Sequence, residues 1–168
     1  YKLTYASDKA NKMLRLLDMV VTTLTHMKST DKVIIDVYST HNFYFALLIS
    51  QLCRVFKMPY ITNLNGGNLP MRLKLHPRWG GLIFNNALYN VAPSKYLKEG
   101  FERFGYEHLL YIPNSIEIDQ YPYLKKTFDV PKLLWVRSFS KIYNPLLAVE
   151  VLKALKDRGL DASLCMVG

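Results

Sequence analysis

Arg137 and Lys141 stand four residues apart, directly after the apolar run Leu133-Leu134-Trp135-Val136 and just before Asn144-Pro145. The run reads as a strand. Asn144 and Pro145 read as a helix start, with Asn as N-cap and Pro at the first helical position. Together they describe a strand whose C-terminal end delivers two positive charges beside a helix N-terminus. That arrangement suits an anion, because ligands of open α/β sheets bind at strand ends and helix N-termini favour phosphate. An ordinary βα connection carrying surface cations has the same spacing.

A second group of candidates lies upstream. Asn65-Gly66-Gly67-Asn68-Leu69-Pro70 follows the short strand Tyr60–Leu64. Its paired glycines allow close backbone approach to a ligand and positive φ, or make a plain tight turn. His41 follows the run Lys32–Tyr38 at a position open to a strand-end contact, although a helix-capping role suits it better. In Met71–Trp79 apolar residues alternate with Arg72, Lys74 and Arg78 and no acid occurs. That composition reads as a mobile or surface-seeking segment.

The elements that must position these groups follow from periodicity. Ser7-Asp8 caps a helix to about Lys28, with Met13, Leu16, Leu17, Val20, Leu24 and Met27 on one face. Further helices are expected over Phe43–Lys57, Trp79–Ala87, from a Ser94 N-cap towards Gly105, and over Pro145–Arg158, which Gly159 ends. Strands are expected over Lys32–Tyr38, Tyr60–Leu64, Tyr89–Ala92, His108–Ile112, Leu133–Val136 and Ala162–Val167. Alternation of this kind implies a parallel, doubly wound α/β fold with every candidate loop along one sheet edge. Residues 115–131, rich in Tyr, Pro and Lys, read as a linker between a first domain (1–126) and the start of a second (127–168).

With 168 residues the chain can bury a real core, and no run approaches the length of a membrane span. Cys53 and Cys165 sit in apolar segments and read as buried free thiols, which with the missing export signal favours the cytosol. The net charge of +9 is unevenly spread, since no Asp or Glu occurs between Asp36 and Glu99. Such a surface meets anionic membranes, phosphorylated ligands or nucleic acid, or is simply solvated. Nucleic acid is the weakest of these, because no helix joins clustered Lys or Arg to base-reading residues. No metal-ligand spacing of His, Cys, Asp or Glu is visible.

Four segments in order resemble the GT-B glycosyltransferases, family 4 in particular. Val91-Ala92-Pro93-Ser94-Lys95-Tyr96-Leu97 resembles the strand and serine-led helix near the end of that family's first domain. Tyr111-Ile112-Pro113-Asn114-Ser115-Ile116-Glu117 is similar to its "IPNG-[VI]-D" hinge. Leu134-Trp135-Val136-Arg137 through Lys141 resembles its "VGR…K" strand and loop, and Leu164-Cys165-Met166-Val167-Gly168 its following "L-x-[IV]-V-G" strand. The chain departs from the family at Val136 and Ser115, where Gly is frequent, and at Asn65, where many members carry a His facing the donor sugar. Asn65 can hydrogen-bond but cannot move a proton.

The resemblance implies a retaining, metal-independent transfer of sugar from a nucleotide-diphosphate donor to a hydroxyl acceptor, with no cofactor beyond that co-substrate. It implies that Arg137 and Lys141 contact the donor diphosphate. His41, Asn65, Gly66, Gly67, Ser94 and Asn114 would line the cleft between acceptor and donor. Arg72, Lys74 and Arg78 would meet a membrane or an anionic, lipid-linked acceptor. Cell-surface polysaccharide or glycolipid synthesis, in the cytoplasm or peripherally on the inner face of the membrane, is the expected setting. The family's opening strand and its paired glutamates lie outside these residues, so the chain reads as the middle of an enzyme and is expected to be inactive alone. A non-catalytic basic module binding an anionic membrane or phosphorylated ligand is the competing expectation. A sugar-nucleotide epimerase of the same architecture is a third, although its catalytic carboxylate and histidine sets are not evident.

Overall fold

The computed structural model describes residues 2–125 and 130–168. Two compact units are present, the first ending at Ile116 and the second beginning at Glu117. Part of the expected linker, 126–129, and the domain boundary expected at 126–127 lie outside the described residues.

The first unit runs α1 (Lys12–His26), β1 (Val33–Val37), α2 (Asn42–Val55), β2 (Tyr60–Leu64), α3 (Leu69–Leu75), α4 (Pro77–Phe84), β3 (Tyr89–Ala92), α5 (Lys95–Glu102) and β4 (Leu109–Tyr111). All four strands are parallel and lie in the order β1-β2-β3-β4. This is an α/β, Rossmann-like arrangement. The strand order never reverses within this sheet, so it forms a single arm rather than the doubly wound sheet expected from alternation. Local periodicity predicts elements, whereas the order in which strands pair is a long-range choice.

Val37, Leu64 and Ala92 of the strands meet Phe43 and Cys53 of α2, Leu69 and Leu73 of α3, Phe84 of α4 and Phe101 of α5 in one buried cluster. Each large side chain removed from water there contributes about 1.5–3 kcal/mol. Asn90 is fully buried at the centre of β3, a poor strand residue in isolation. Its amide is satisfied: Thr62 Oγ1 donates to Asn90 Oδ1 at 2.6 Å, and Nδ2 donates to the carbonyls of Phe84 and Glu107 at 3.1 and 3.2 Å.

Three local expectations are corrected. α1 starts at Asn11, whose Oδ1 accepts from the N–H groups of Met13 and Leu14 at 2.9 and 3.2 Å, and not at Ser7-Asp8. Its predicted face is only half covered: Val20 and Met27 pack on the core, while Met13 and Leu17 stay exposed. Residues 71–79 are not a loose segment. They belong to α3 and α4, which meet at His76 and Pro77, because Leu69 and Leu73 anchor α3 in the core. The alternation of apolar and cationic residues reflects a short helix with one buried side.

The second unit holds a 3-10 turn (Ile118–Gln120), β5 (Lys132–Val136), a second 3-10 turn (Lys141–Tyr143), α6 (Pro145–Asp157) and β6 (Ser163–Val167). β5 and β6 pair in parallel, with Val136 opposite Val167. Leu133, Trp135, Leu164 and Met166 are half-buried, while Leu134, Val136, Cys165 and Val167 on the other face are exposed. Cys165 is therefore not the buried thiol expected, because pleat alternation puts it on the face opposite Leu164 and Met166. Val151 of α6 is also exposed, whereas Ala148, Leu152 and Leu155 are half-buried.

Candidate functional site

In the first unit the parallel topology sets the loops after β1, β2, β3 and β4 along one edge, in strand order. The first two are locked together. The Asn65 N–H donates to the Val37 carbonyl at 2.9 Å, carrying the ladder one residue past β2. A Cβ at Gly66 would lie 2.7 Å from the backbone nitrogen of Ser39. Neither Gly66 nor Gly67 has positive φ, and the close approach found at Gly66 is to the Ser39 backbone.

Asn65 has a second tie that sequence reasoning missed. Its Nδ2 donates to Asp36 Oδ1 at 2.7 Å, and Asn63 Nδ2 donates to the same oxygen at 2.8 Å. Asp36 lies at the C-terminal end of β1 in register with Asn63. Its only sequence signal was an acid inside an otherwise apolar strand. Two amide donors on one carboxylate oxygen fix the Asn65 side chain at the mouth of the loop.

His41 takes the N-cap position of α2, but its backbone is helical (φ −56°, ψ −26°) and its ring makes no capping bond. The capping role expected for it is not what holds it; the exposed imidazole stands at the strand end. Ser94 does cap, accepting from the Leu97 N–H at 3.3 Å. Asn114 is exposed beyond Ile112, whose N–H donates to the Ala92 carbonyl at 3.1 Å.

The three upstream cations part company. Lys74 and Arg78 are exposed. Arg72 turns inward: Nη1 donates to the Ser39 carbonyl at 2.9 Å, and the guanidinium lies 4.5 and 4.9 Å from the ring centroids of Phe43 and Tyr44. Its Nε and Nη2 are buried without a hydrogen-bond partner. The aromatic faces supply part of the compensation that a buried cation needs. Arg72 thereby ties α3 to the loop after β1.

In the second unit, the Arg137 N–H donates to the Val167 carbonyl at 3.0 Å, continuing the pairing past β5. Its guanidinium sits 4.8 Å from the centroid of Tyr143, a ring held by the same 3-10 turn that Lys141 opens. Asn144 occupies the N-cap position of α6 as expected, but in a left-handed conformation (φ 47°, ψ 61°) and without a side-chain capping bond. Asn tolerates that conformation better than most residues. Pro145 follows at the helix start, where its missing N–H costs nothing. Gly168, just past β6, lies against this loop: a Cβ there would collide with the Arg137 carbonyl oxygen and lie 2.6 Å from the Phe139 ring.

The result is an exposed loop with two cations at a strand end, ahead of a 13-residue helix. No acid lies in the sequence between Asp129 and Glu150 to neutralise it. Such a loop can hold an anion by paired guanidinium hydrogen bonds, a second point charge and the helix N-terminus. Among the described residues no three His, Cys, Asp or Glu side chains cluster as metal ligands. Comparison with protein-family models and with curated proteins returns no match.

Proposed function

We propose that this chain belongs to a retaining GT-B glycosyltransferase resembling family 4. It would move a sugar from a nucleotide-diphosphate donor to a hydroxyl acceptor in cell-surface polysaccharide or glycolipid synthesis. The observation that carries the reading is the loop after β5, with Arg137 and Lys141 at the strand end and Gly168 packed against it. Two motifs far apart in sequence thus meet at one anion-suited loop.

In this reading the Arg137 fork and the Lys141 ammonium bind the donor diphosphate. As the bond between the anomeric carbon and the diphosphate oxygen breaks, its electron pair passes to that oxygen. The growing negative charge is stabilised by cations already in place. Tyr143 holds the guanidinium before the donor arrives, which reduces the ordering cost on binding. The strand-end loops of the first unit, with His41 and the Asp36-anchored Asn65, are assigned to the acceptor side. The charge on the diphosphate is met by side chains, so no metal is assigned.

The test is donor hydrolysis and transfer by the full-length protein across a set of nucleotide sugars. Arg137→Ala and Lys141→Ala should each lower kcat/KM by about 100-fold or more, the scale of a lost transition-state charge contact. Wild-type activity in both variants would remove the diphosphate assignment. The second reading, a non-catalytic basic module, is favoured by the exposed Lys74 and Arg78. It requires that no donor be turned over.

A further inference from the structure

We infer that Asp36, with Asn63 and Asn65, forms a cradle for adjacent hydroxyls of an uncharged sugar and selects against a phosphorylated one. The inference rests on the transferase reading for its use, where it makes the acceptor substrate a neutral glycan and not the anionic acceptor expected for Lys74 and Arg78. β1 and β2 pair with Asp36 opposite Asn63, and Asn65 stands two residues further along the same side of the pleat. Val37, Thr62 and Leu64 alternate with them and are buried on the other side, where Val37 and Leu64 join the core cluster with α2, α3, α4 and α5. The cradle therefore lies on the open side of the sheet. Asp36 is exposed and both asparagines are half-buried.

Hydrogen bonding and charge select the occupant. Each asparagine spends one N–H on Asp36 Oδ1, at 2.8 Å from Asn63 and 2.7 Å from Asn65, which fixes both carboxamides. Asp36 Oδ2, the two carboxamide oxygens and one N–H on each asparagine remain for a ligand. Among the described residues no cation pairs with the Asp36 carboxylate. Arg72, on the adjoining α3, is turned to the Ser39 carbonyl and the rings of Phe43 and Tyr44 instead. A phosphate would thus meet an uncompensated like charge. An ammonium donates and cannot accept, so it leaves the amide N–H groups unmatched. A hydroxyl does both: it donates to the carboxylate, the stronger kind of hydrogen bond, and accepts from an amide. Two adjacent hydroxyls on a sugar ring use the whole set.

The experiment is saturation-transfer NMR of the chain, without any donor, against the methyl glycosides of glucose, galactose and mannose, their 6-phosphates, and glucosamine. At least one neutral glycoside should bind, and its 6-phosphate should bind about 10-fold more weakly or not at all. Asp36→Asn keeps the shape and removes the charge. It should weaken the neutral glycoside about 10-fold, the scale of one hydrogen bond to a charged group, and narrow the gap to the phosphate. Asn65→Ala should also weaken the neutral glycoside. Asp157→Asn, the same change at an exposed position of α6, should alter nothing. Unchanged melting curves will show that the fold persists in each variant. Failure of every neutral glycoside to bind, tighter binding of a 6-phosphate or of glucosamine, or an unaltered preference in Asp36→Asn would each overturn the inference. Wild-type turnover in Arg137→Ala and Lys141→Ala would remove the diphosphate assignment and leave this binding result standing. Donor hydrolysis with no glycoside bound would do the reverse, so the two proposals fail separately.

Discussion

Gly168 and Arg137 are pressed together at the ends of two parallel strands. The carbonyl of Arg137 occupies the space that any Cβ at position 168 would need, and the Phe139 ring closes the other side. Val136 and Val167 pair directly, so the next residue on each strand has no room to diverge. A glycine ending one strand thereby sets where the cationic loop of the other can lie.

Gly168→Ala in the full-length protein should therefore displace that loop. Overpacking against a backbone atom costs about 1–3 kcal/mol. A fall in melting temperature together with weaker donor binding is expected. Unchanged values for both would show that the close approach is not maintained in solution.

The paired glycines at 66 and 67 should behave differently from one another. Gly66→Ala places a methyl group 2.7 Å from the Ser39 nitrogen and should cost about 1–3 kcal/mol. Gly67→Ala meets nothing within 4 Å and has no positive φ, so it should be neutral or slightly stabilising. Urea unfolding of the two variants side by side distinguishes them, and equal destabilisation would contradict the packing described.

Asn90 should resist replacement by apolar residues of similar size. Asn90→Leu would strip partners from the Thr62 hydroxyl and from the Phe84 and Glu107 carbonyls. Buried polar groups left unpaired cost about 1–3 kcal/mol each, so the total should exceed 2 kcal/mol even with partial relaxation. Thr62→Val removes one partner only and should cost less. Reversal of that order in chemical denaturation would refute the network.

Stability should decline in alkali. Burial pushes the Cys53 thiol up from 9.0 to about 11 and the Tyr60 phenol up from 10.0 to about 12, and it raises Tyr106 as well. In each case the folded state holds its proton more tightly than the unfolded state. The stabilisation is complete below about pH 9 and is lost as pH rises through the folded values near 11 and 12. Tyr60→Phe should flatten the upper part of this decline while losing the hydrogen bond to the Ile83 carbonyl, about 1 kcal/mol near neutrality. Tyrosinate absorbance followed with circular dichroism tests both points. Titration of all twelve phenols as a single class with a midpoint at pH ~10, without loss of structure, would show that Tyr60 and Tyr106 are not shielded.

What the amino-acid order determined by itself is local. The Ser94 cap and the Pro145 helix start were legible because their signals involve atoms within a few residues. So were Gly105 and Gly159, which end α5 and α6 with φ near 77° and 78°. The strand positions were legible for the same reason: β-branched and apolar runs between turn residues need no distant partner to be recognised. Arg137 and Lys141 were visible as two cations ahead of a helix start.

Tertiary structure decided everything that depends on residues far apart. Arg72 looks like Lys74 and Arg78 in sequence, yet only Arg72 finds Phe43, Tyr44 and the Ser39 carbonyl. Cys165 looks buried until the pairing of β5 and β6 assigns its face. Asp36 gains meaning only when parallel pairing sets Asn63 and Asn65 within reach of its carboxylate. The monotonic strand order and the close contact of Gly168 with Arg137 follow from long-range pairing. A sequence records such contacts only as residue types that tolerate them, since the partner is chosen by packing.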